Sequence, residues 1–350
     1  MIKKAAIVLA GGKSQRFQTN KSPWQDKTLA ILHGKPLLVY AVQEVSNIVE
    51  EIAVCVNDEE RKIKYSKILA QYGIENVRLI VDEKIDNLGG PLVAILTGLK
   101  FIQAENCFTL PGDMPFLAPA MIEYMFKKGE KYPVVVPMWP NGRLETLTMV
   151  LEKITALQIA TTLCQLQRPR SDDLIRGAQK ACFLSITGKI KSIDPELRSF
   201  VNINAPEDLL HLKPRRSEGN RNHDIYIDRG KLPNQKLNNL RKAATLRKAN
   251  EYSQAAEIFS ICAKELEAEA PFWAGVSYEN EGKSYLDLYK TQKTTEHNVE
   301  LLSKVKMSLT KASSQYELEA TMYQEYGCAF LTDRANSDKQ WCETQIKSLL

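Results

Sequence analysis

The 350 residues predict two folding units in series, a doubly wound, mostly parallel α/β sheet over residues 1–212 and an all-helical unit over 237–350. Short Val- and Ile-rich runs, apolar throughout, alternate with helical spacing in the first part, the pattern of a parallel sheet covered on both faces. A basic polar segment over 213–236 interrupts the alternation, and no strand signal survives beyond it. The length also suits two domains at about 150 residues each.

Ala5–Ala10, Ile52–Asn57, Val77–Val81, Cys107–Leu110 and Pro133–Pro137 read as strands bounded by turn residues. Between them, Pro36–Ile48, Glu59–Gly73, Pro91–Ala104 and Pro119–Gly129 carry helical spacing. Asp58 can cap the second of these, Pro91 and Pro119 can open the last two, and Gly73 can close one. In the basic segment, Lys213, Arg215, Arg216, Arg221, Arg229, Lys231 and Lys236 outnumber Glu218, Asp224 and Asp228. This composition suits a solvated linker, with a basic arm for RNA or an acidic partner as the rival. Leu237–Ala249, Tyr252–Ala268, Phe272–Tyr289, Val299–Gln315 and Tyr316–Leu331 then read as successive helices. Ala243, Leu246, Tyr252, Ala255 and Phe259 alternate small and large as in a tetratricopeptide-like helix pair, and Ala312 and Tyr316 echo the last two. A generic helical bundle gives similar spacing.

Composition excludes several classes. Seven scattered cysteines lack any Cys-x-x-Cys pair, and the four histidines lie far apart, so disulfide-framework and zinc spacing are absent and buried reduced thiols of a cytoplasmic protein are expected. The apolar run Ala5–Ala10 ends at once at Gly11-Gly12-Lys13, too short for a signal peptide, and no run approaches the ~18 residues of a membrane span. A net charge of +5 does not by itself call for nucleic acid and fits an anionic small substrate equally well.

The most informative stretch is Leu9-Ala10-Gly11-Gly12-Lys13-Ser14-Gln15-Arg16, directly after the first expected strand. A P-loop would need glycine where Ile7 stands, and a dinucleotide fingerprint would need glycine where Arg16 stands. What remains is a glycine pair at the C-terminal edge of a parallel strand, where bare backbone N–H groups can approach a triphosphate closely. Arg16 and Lys27 then offer positive charge for the phosphates. Asn57 and Asp82 fall at strand C-termini, the usual ligand crevice of an open α/β sheet. Asp113 follows a buried strand end, where a lone carboxylate is costly unless paired or metal-bound; capping a helix that starts near Pro115 is the rival role. Asn202 and Asn204 have i, i+2 spacing, so on a strand both amides face one side, and Asn204 can alternatively cap the turn at Pro206-Glu207-Asp208.

Leu9-Ala10-Gly11-Gly12, Arg16, Asp26-Lys27, Gly34-Lys35-Pro36-Leu37, Val56-Asn57, Asp82, Gly90-Pro91-Leu92, Gly112-Asp113-Met114-Pro115-Phe116 and the run Phe200 to Leu209 form an ordered series. Over residues 4–212 this series resembles the GT-A-like nucleotidyltransferases, and within them the molybdenum cofactor guanylyltransferases, the MobA-like group. The resemblance implies a nucleotidyltransferase that moves GMP from GTP to a phosphorylated pterin. It implies that Leu9, Ala10, Gly11, Gly12, Lys27, Asn57, Asp82 and Asp113 bind the nucleotide, with Asn57 and Asp82 at the guanine base. Asp113 would hold Mg²⁺ as the cofactor, Lys27 and Arg16 would offset phosphate and pyrophosphate charge, and Asn202 and Asn204 would bind the acceptor. Magnesium commonly needs only one or two carboxylates, completing its shell with phosphate oxygens and water.

Two departures stand out. Gln18 replaces the glycine usual two positions after the arginine, and Phe17–Asp26 is longer than usual, with Lys21 a rival to Lys27. Arg168, Arg170 and Arg176 are further candidates to grip an anionic acceptor, although Ser171 capping a helix with Asp172 and Asp173 in its first turn explains that stretch more simply. The rival functions are a CTP-dependent enzyme, one acting on cobinamide phosphate or a sugar phosphate, and a non-catalytic NTP-binding scaffold. Residues 237–350 offer a surface for a protein partner, a molybdoenzyme or a second copy.

Overall fold

The computed structural model describes residues 4–12, 14–18, 25–214, 219–291 and 296–349, without the side chains of Arg16, Glu296 and His297. The strands are β1 (Lys4–Leu9), β2 (Ile31–Leu32), β3 (Lys35–Pro36), β4 (Glu51–Val56), β5 (Arg78–Val81), β6 (Asn106–Pro111), β7 (Val134–Met138), β8 (Met149–Glu152), β9 (Lys180–Ser185) and β10 (Ile225–Asp228). The helices are α1 (Leu37–Ser46), α2 (Glu59–Gln71), α3 (Pro91–Phe101), α4 (Pro119–Gly129), α5 (Lys153–Gln165), α6 (Ser171–Gly177), α7 (Lys191–Ile193), α8 (Asn234–Lys248), α9 (Tyr252–Leu266), α10 (Pro271–Thr291), α11 (Glu296–Glu325) and α12 (Ala329–Ser348).

Eight strands form one sheet in the order β10-β9-β7-β8-β6-β1-β4-β5. β6, β1, β4 and β5 are mutually parallel, and β8 runs antiparallel between β6 and β7. The five strands expected from sequence form, with no end shifted by more than one residue. β8, β9 and the β2–β3 hairpin were not anticipated, and β10 lies inside the segment read as a linker. The reading of 213–236 as solvated linker is therefore corrected over Ile225–Asp228, whose Ile227 is buried at the sheet edge.

Local chemistry accounts for these elements. Ala5, Ala6, Ile7 and Val8 have no exposed surface, as a central strand covered on both faces requires. Asp58 caps α2 by accepting from the Arg61 backbone N–H at 2.7 Å. Pro91 and Pro119 occupy the first turns of α3 and α4, where a missing N–H costs nothing. Gly98 lets α3 lie on β1, since a Cβ there would meet the Ile7 side chain at 2.6 Å. All seven cysteines are buried and none forms a disulfide, and among the described residues no helix is long and apolar enough to cross a membrane.

The chain divides into two compact units, Met1–Ala160 with Pro169–Ser171 and Lys180–Ile227, and Thr161–Arg168 with Asp172–Gln179 and Asp228–Leu350. The first carries the sheet. The second is helical and takes in two stretches N-terminal to the expected break at residue 212. Within it, α8 and α9 are a pair of 15 residues each, with Ala243, Ala255 and Phe259 fully buried, whereas α10, α11 and α12 lengthen to 21, 30 and 20 residues. Only the first pair thus has matched lengths. Gly275 and Gly282 of α10 admit Tyr316 and Leu309 of α11, since Cβ atoms there would stand 2.7 and 3.1 Å from those side chains. The break expected between Gln315 and Tyr316 does not occur. α11 runs through it and ends before Gly327, whose φ of 63° suits a left-handed helix stop.

Candidate active site

Because β6, β1, β4 and β5 are adjacent and parallel, their carboxyl ends deliver Asp113, Gly11, Asn57 and Asp82 to one edge of the sheet. A cavity of about 820 Å³ opens there, lined among others by Leu9, Gly11, Gly12, Ser14, Lys27, Asn57, Asp82, Gly90, Gly112 and Asp113. Of the residues expected to bind nucleotide, only Ala10 is not among its lining. Ala10 is buried and its N–H donates to the Cys55 carbonyl at 2.9 Å, fixing the turn against β4.

The glycine pair is tightly enclosed on one side. A Cβ on Gly11 would stand 3.2 Å from Asp82 Oδ2 and 3.3 Å from the Asn57 nitrogen. The Leu9 carbonyl accepts from the Gly112 N–H at 3.0 Å, which ties the turn after β1 to the one carrying Asp113. Asp113 is only 5% exposed, and the Lys27 ammonium pairs with its Oδ2. Its Oδ1 is buried and has no hydrogen-bond partner among the described residues. A buried carboxylate oxygen without a donor is a costly arrangement that a cation or ligand donor would relieve. Among the described residues no three His, Cys, Asp or Glu side chains cluster as metal ligands, so a metal here would have at most two such side chains and would complete its shell with ligand oxygens and water, as magnesium readily does. The donor set therefore fits Mg²⁺.

Lys27 Nζ also reaches Asn204 Oδ1 at 3.5 Å. Asn202 and Asn204 alternate with buried Val201 and Ile203, as expected, but in no strand. The Ile203 N–H donates to the Asp113 carbonyl at 3.3 Å, which brings the segment alongside Asp113. The capping role considered for Asn204 is corrected. Ala205 holds the cap position of the turn Pro206–Leu209, and Asp208 reaches back to the N–H groups of Asn204 and Ala205 at 2.7 and 2.9 Å. Asn202 Oδ1 is buried and has no partner among the described residues, a second open acceptor in this region.

Asp82 Oδ1 is a third open acceptor. Burial pushes the Asp82 carboxyl up to about 7. A base presenting paired N–H donors would favour its ionised form, so binding such a base should release a proton below pH ~7. Affinity for GTP is expected to fall about tenfold per unit as pH drops below 7, to level off above it, and to lose this dependence in Asp82→Asn. Titration calorimetry between pH 5.5 and 8.5 checks this, and a flat wild-type profile contradicts it.

Arg16 lies in the short turn Gln15–Phe17, but its side chain, like Lys13, Lys21, Pro23 and Trp24, falls outside the described residues. The Gln18 departure has a local explanation. Its amide donates to the carbonyls of Ser14 and Gln25 at 2.7 Å each and accepts from the Gln25 N–H at 2.9 Å. A glycine could not join those two points of the chain. Arg168 and Arg176 are not acceptor grips. Arg168 pairs with Asp173, Glu279 and Asp338 at 2.6–3.1 Å, and Arg176 with Asp173, Glu319 and Asp338 at 2.7–2.8 Å, all within the helical unit. Glu83, Lys84, Asp86, Asn87 and Leu88 form a further wall of the cavity, signalled in the sequence only by the polar stretch between Asp82 and Gly90.

Residues 6–179 match the model of the MobA-like NTP transferase domain. A protein of Methanosarcina mazei named probable molybdenum cofactor guanylyltransferase is 31% identical over 211 residues, which cover 60% of this chain and 89% of that one. A protein of the same name from Thermococcus kodakarensis is 31% identical over 226 residues, covering 61% and 96%. Among solved structures, molybdopterin-guanine dinucleotide biosynthesis protein A from Archaeoglobus fulgidus aligns with a TM-score of 0.49 at 24% identity, over 60% of this chain and 96% of that one.

Proposed function

The chain belongs to the MobA-like NTP transferase family and is a nucleotidyltransferase, and from that premise we propose that it transfers GMP from GTP to the phosphate of a molybdenum-carrying pterin cofactor. A phosphate oxygen of the acceptor attacks the α-phosphorus of GTP. The bond from that phosphorus to the bridging oxygen of the β-phosphate breaks, and pyrophosphate leaves with the electron pair. No covalent enzyme intermediate is needed, because the acceptor phosphate is itself the nucleophile.

The observation that supports this most is the meeting of Asp113, with its open Oδ1, and Lys27 beside the Gly11–Gly12 turn. The bare backbone of the turn would cradle the triphosphate, and Lys27 would offset the charge that grows on it. Asp113 would hold Mg²⁺, which when bound supplies Lewis-acid charge to the phosphates. Asn57 and Asp82 would read the base, Asp82 accepting from the N1–H and N2–H₂ edge of guanine, which adenine does not present. Asn202 and Asn204 would orient the acceptor phosphate, and Arg16 would stabilise the departing pyrophosphate. Catalysis then consists mainly of positioning and charge complementarity.

The test is transfer from labelled GTP and CTP, in separate reactions with magnesium and the phosphorylated pterin, read as pyrophosphate release and as a dinucleotide product. GTP is expected to be used at least tenfold better than CTP. Preferential use of CTP, or no transfer to the pterin from either nucleotide, overturns the assignment.

A further inference from the structure

Arg61 and Tyr65 are one helical turn apart on α2 and point to the same side, together with Leu69. All three are buried, so two polar groups sit where an amphipathic helix would ordinarily present apolar ones. Their contacts lead to the candidate site from two directions. Arg61 Nη1 donates to the Gly12 carbonyl at 2.9 Å, and its Nε lies 3.5 Å from Asp26 Oδ2. The Tyr65 hydroxyl donates to Asp26 Oδ2 at 2.6 Å. Asp26 Oδ1 in turn accepts from the Thr28 N–H at 3.2 Å, capping the short turn Lys27–Leu29. The Thr28 hydroxyl stands 2.8 Å from Asp26 Oδ1 and 2.6 Å from the Tyr65 oxygen. On the other side, the Lys27 N–H donates to Ser14 Oγ at 3.1 Å.

Lys27 is thus pinned through both its neighbours and its own backbone, while its side chain extends to Asp113. Burial and the Asp26 charge push the Tyr65 phenol up, so it stays a proton donor throughout the working pH range. Desolvating an aspartate, an arginine and a tyrosine costs free energy that an apolar contact would not. What this network supplies, and an apolar contact could not, is a fixed connection from one helix to the Gly12 carbonyl and to the residue before Lys27.

We propose that Tyr65 and Arg61, acting through Asp26, are positioning residues that hold Lys27 and the Gly11–Gly12 turn in one register for the phosphates. The proposal rests on the reading of the site given above. Neither residue touches substrate; each acts through a group that does.

A double-mutant cycle on the full chain tests it. Tyr65→Phe keeps the ring and removes the hydroxyl. It is expected to lower kcat roughly ten- to a hundredfold, the cost of sub-ångström to ångström misplacement, with KM for the acceptor within about twofold. It is also expected to weaken binding of magnesium pyrophosphate, measured by titration calorimetry, several-fold. In a Lys27→Ala background the same change should cost less than about twofold in either readout, since the group it positions is gone. Asp26→Asn, which keeps the size of the side chain, should show the same non-additivity. A loss of thermal stability alone would leave these cycles unaffected.

Tyr65→Phe within twofold of wild type in both readouts, or losses that multiply in the double variant, overturns the proposal. Should the wild-type chain transfer no GMP to the pterin, the functional reading fails and the pyrophosphate cycle alone decides this one. Absence of pyrophosphate binding by the wild type overturns both.

Discussion

Replacing Asp113 by alanine is expected to lower nucleotidyl transfer by about 10³-fold or more, since charge stabilisation by a bound metal is worth several kcal/mol and each ~1.4 kcal/mol is tenfold. The carboxylate sits at the end of a fully buried strand, pairs through Oδ2 with Lys27 and leaves Oδ1 open. Removing it takes away the one acidic side chain that joins the cation of Lys27 to the cavity where phosphates would lie. The fold should survive. Lys27 is one-fifth exposed at a cavity and can hydrate once unpaired, and Gly112 keeps its backbone bond to Leu9. Asp113→Asn separates charge from shape and should be nearly as impaired. Steady-state pyrophosphate release, with circular dichroism as the control on folding, measures both variants. Turnover of Asp113→Ala within tenfold of wild type would remove Asp113 from the chemistry.

Arg176→Met is expected to have the largest effect on stability, about 3–5 kcal/mol, the usual consequence of leaving a buried charge without its partner. Arg176 is 2% exposed, forks onto both oxygens of Glu319 at 2.7 and 2.9 Å, and lies over the Phe272 ring at 4.6 Å. Glu319 has no exposed surface, and Asp173 would retain only Arg168 from this network. Methionine fills most of the volume but supplies no donor, so Glu319 keeps only the weaker attraction of the Arg229 charge or takes up a proton. Urea denaturation followed by helicity should show a lower midpoint at similar slope. A second change, Glu319→Leu, should recover much of the loss, because replacing a buried ion pair by packed apolar groups is often nearly neutral. A single-variant loss below about 1 kcal/mol would show that water reaches this network and screens it.

What the sequence disclosed follows from how locally each feature is encoded. β1 and β4 are runs of Ala, Val, Ile and Cys buried on both faces, and such runs are recognisable without knowing their neighbours. The residues that end them are equally legible, because the C-terminal edge of a parallel sheet is where a ligand crevice forms. β8 and β10 are four residues long and carry charged ends, and the β2–β3 hairpin has two residues per strand, too short for any period to register. The hairpin instead depends on His33 and Gly34 adopting φ of 47° and 81°.

The misreadings are matters of partnership, some of it long-range. Arg168 and Arg176 look like anion grips in isolation, but their carboxylate partners Glu279, Glu319 and Asp338 lie more than a hundred residues away in sequence. Gln18 looked like a lost glycine until Ser14 and Gln25 proved to flank it. Arg61 and Tyr65 did leave a trace, polar residues on the inward face of α2, which becomes meaningful only once Asp26 and Gly12 stand opposite.

A crystal structure with magnesium and a non-hydrolysable GTP analogue tests the central claim most directly. The expected density places the triphosphate along Gly11 and Gly12, the metal on Asp113 Oδ1, and guanine against Asp82 and Asn57. Nucleotide bound elsewhere, or bound in this cavity with its phosphates turned away from Asp113 and Lys27, would contradict the account.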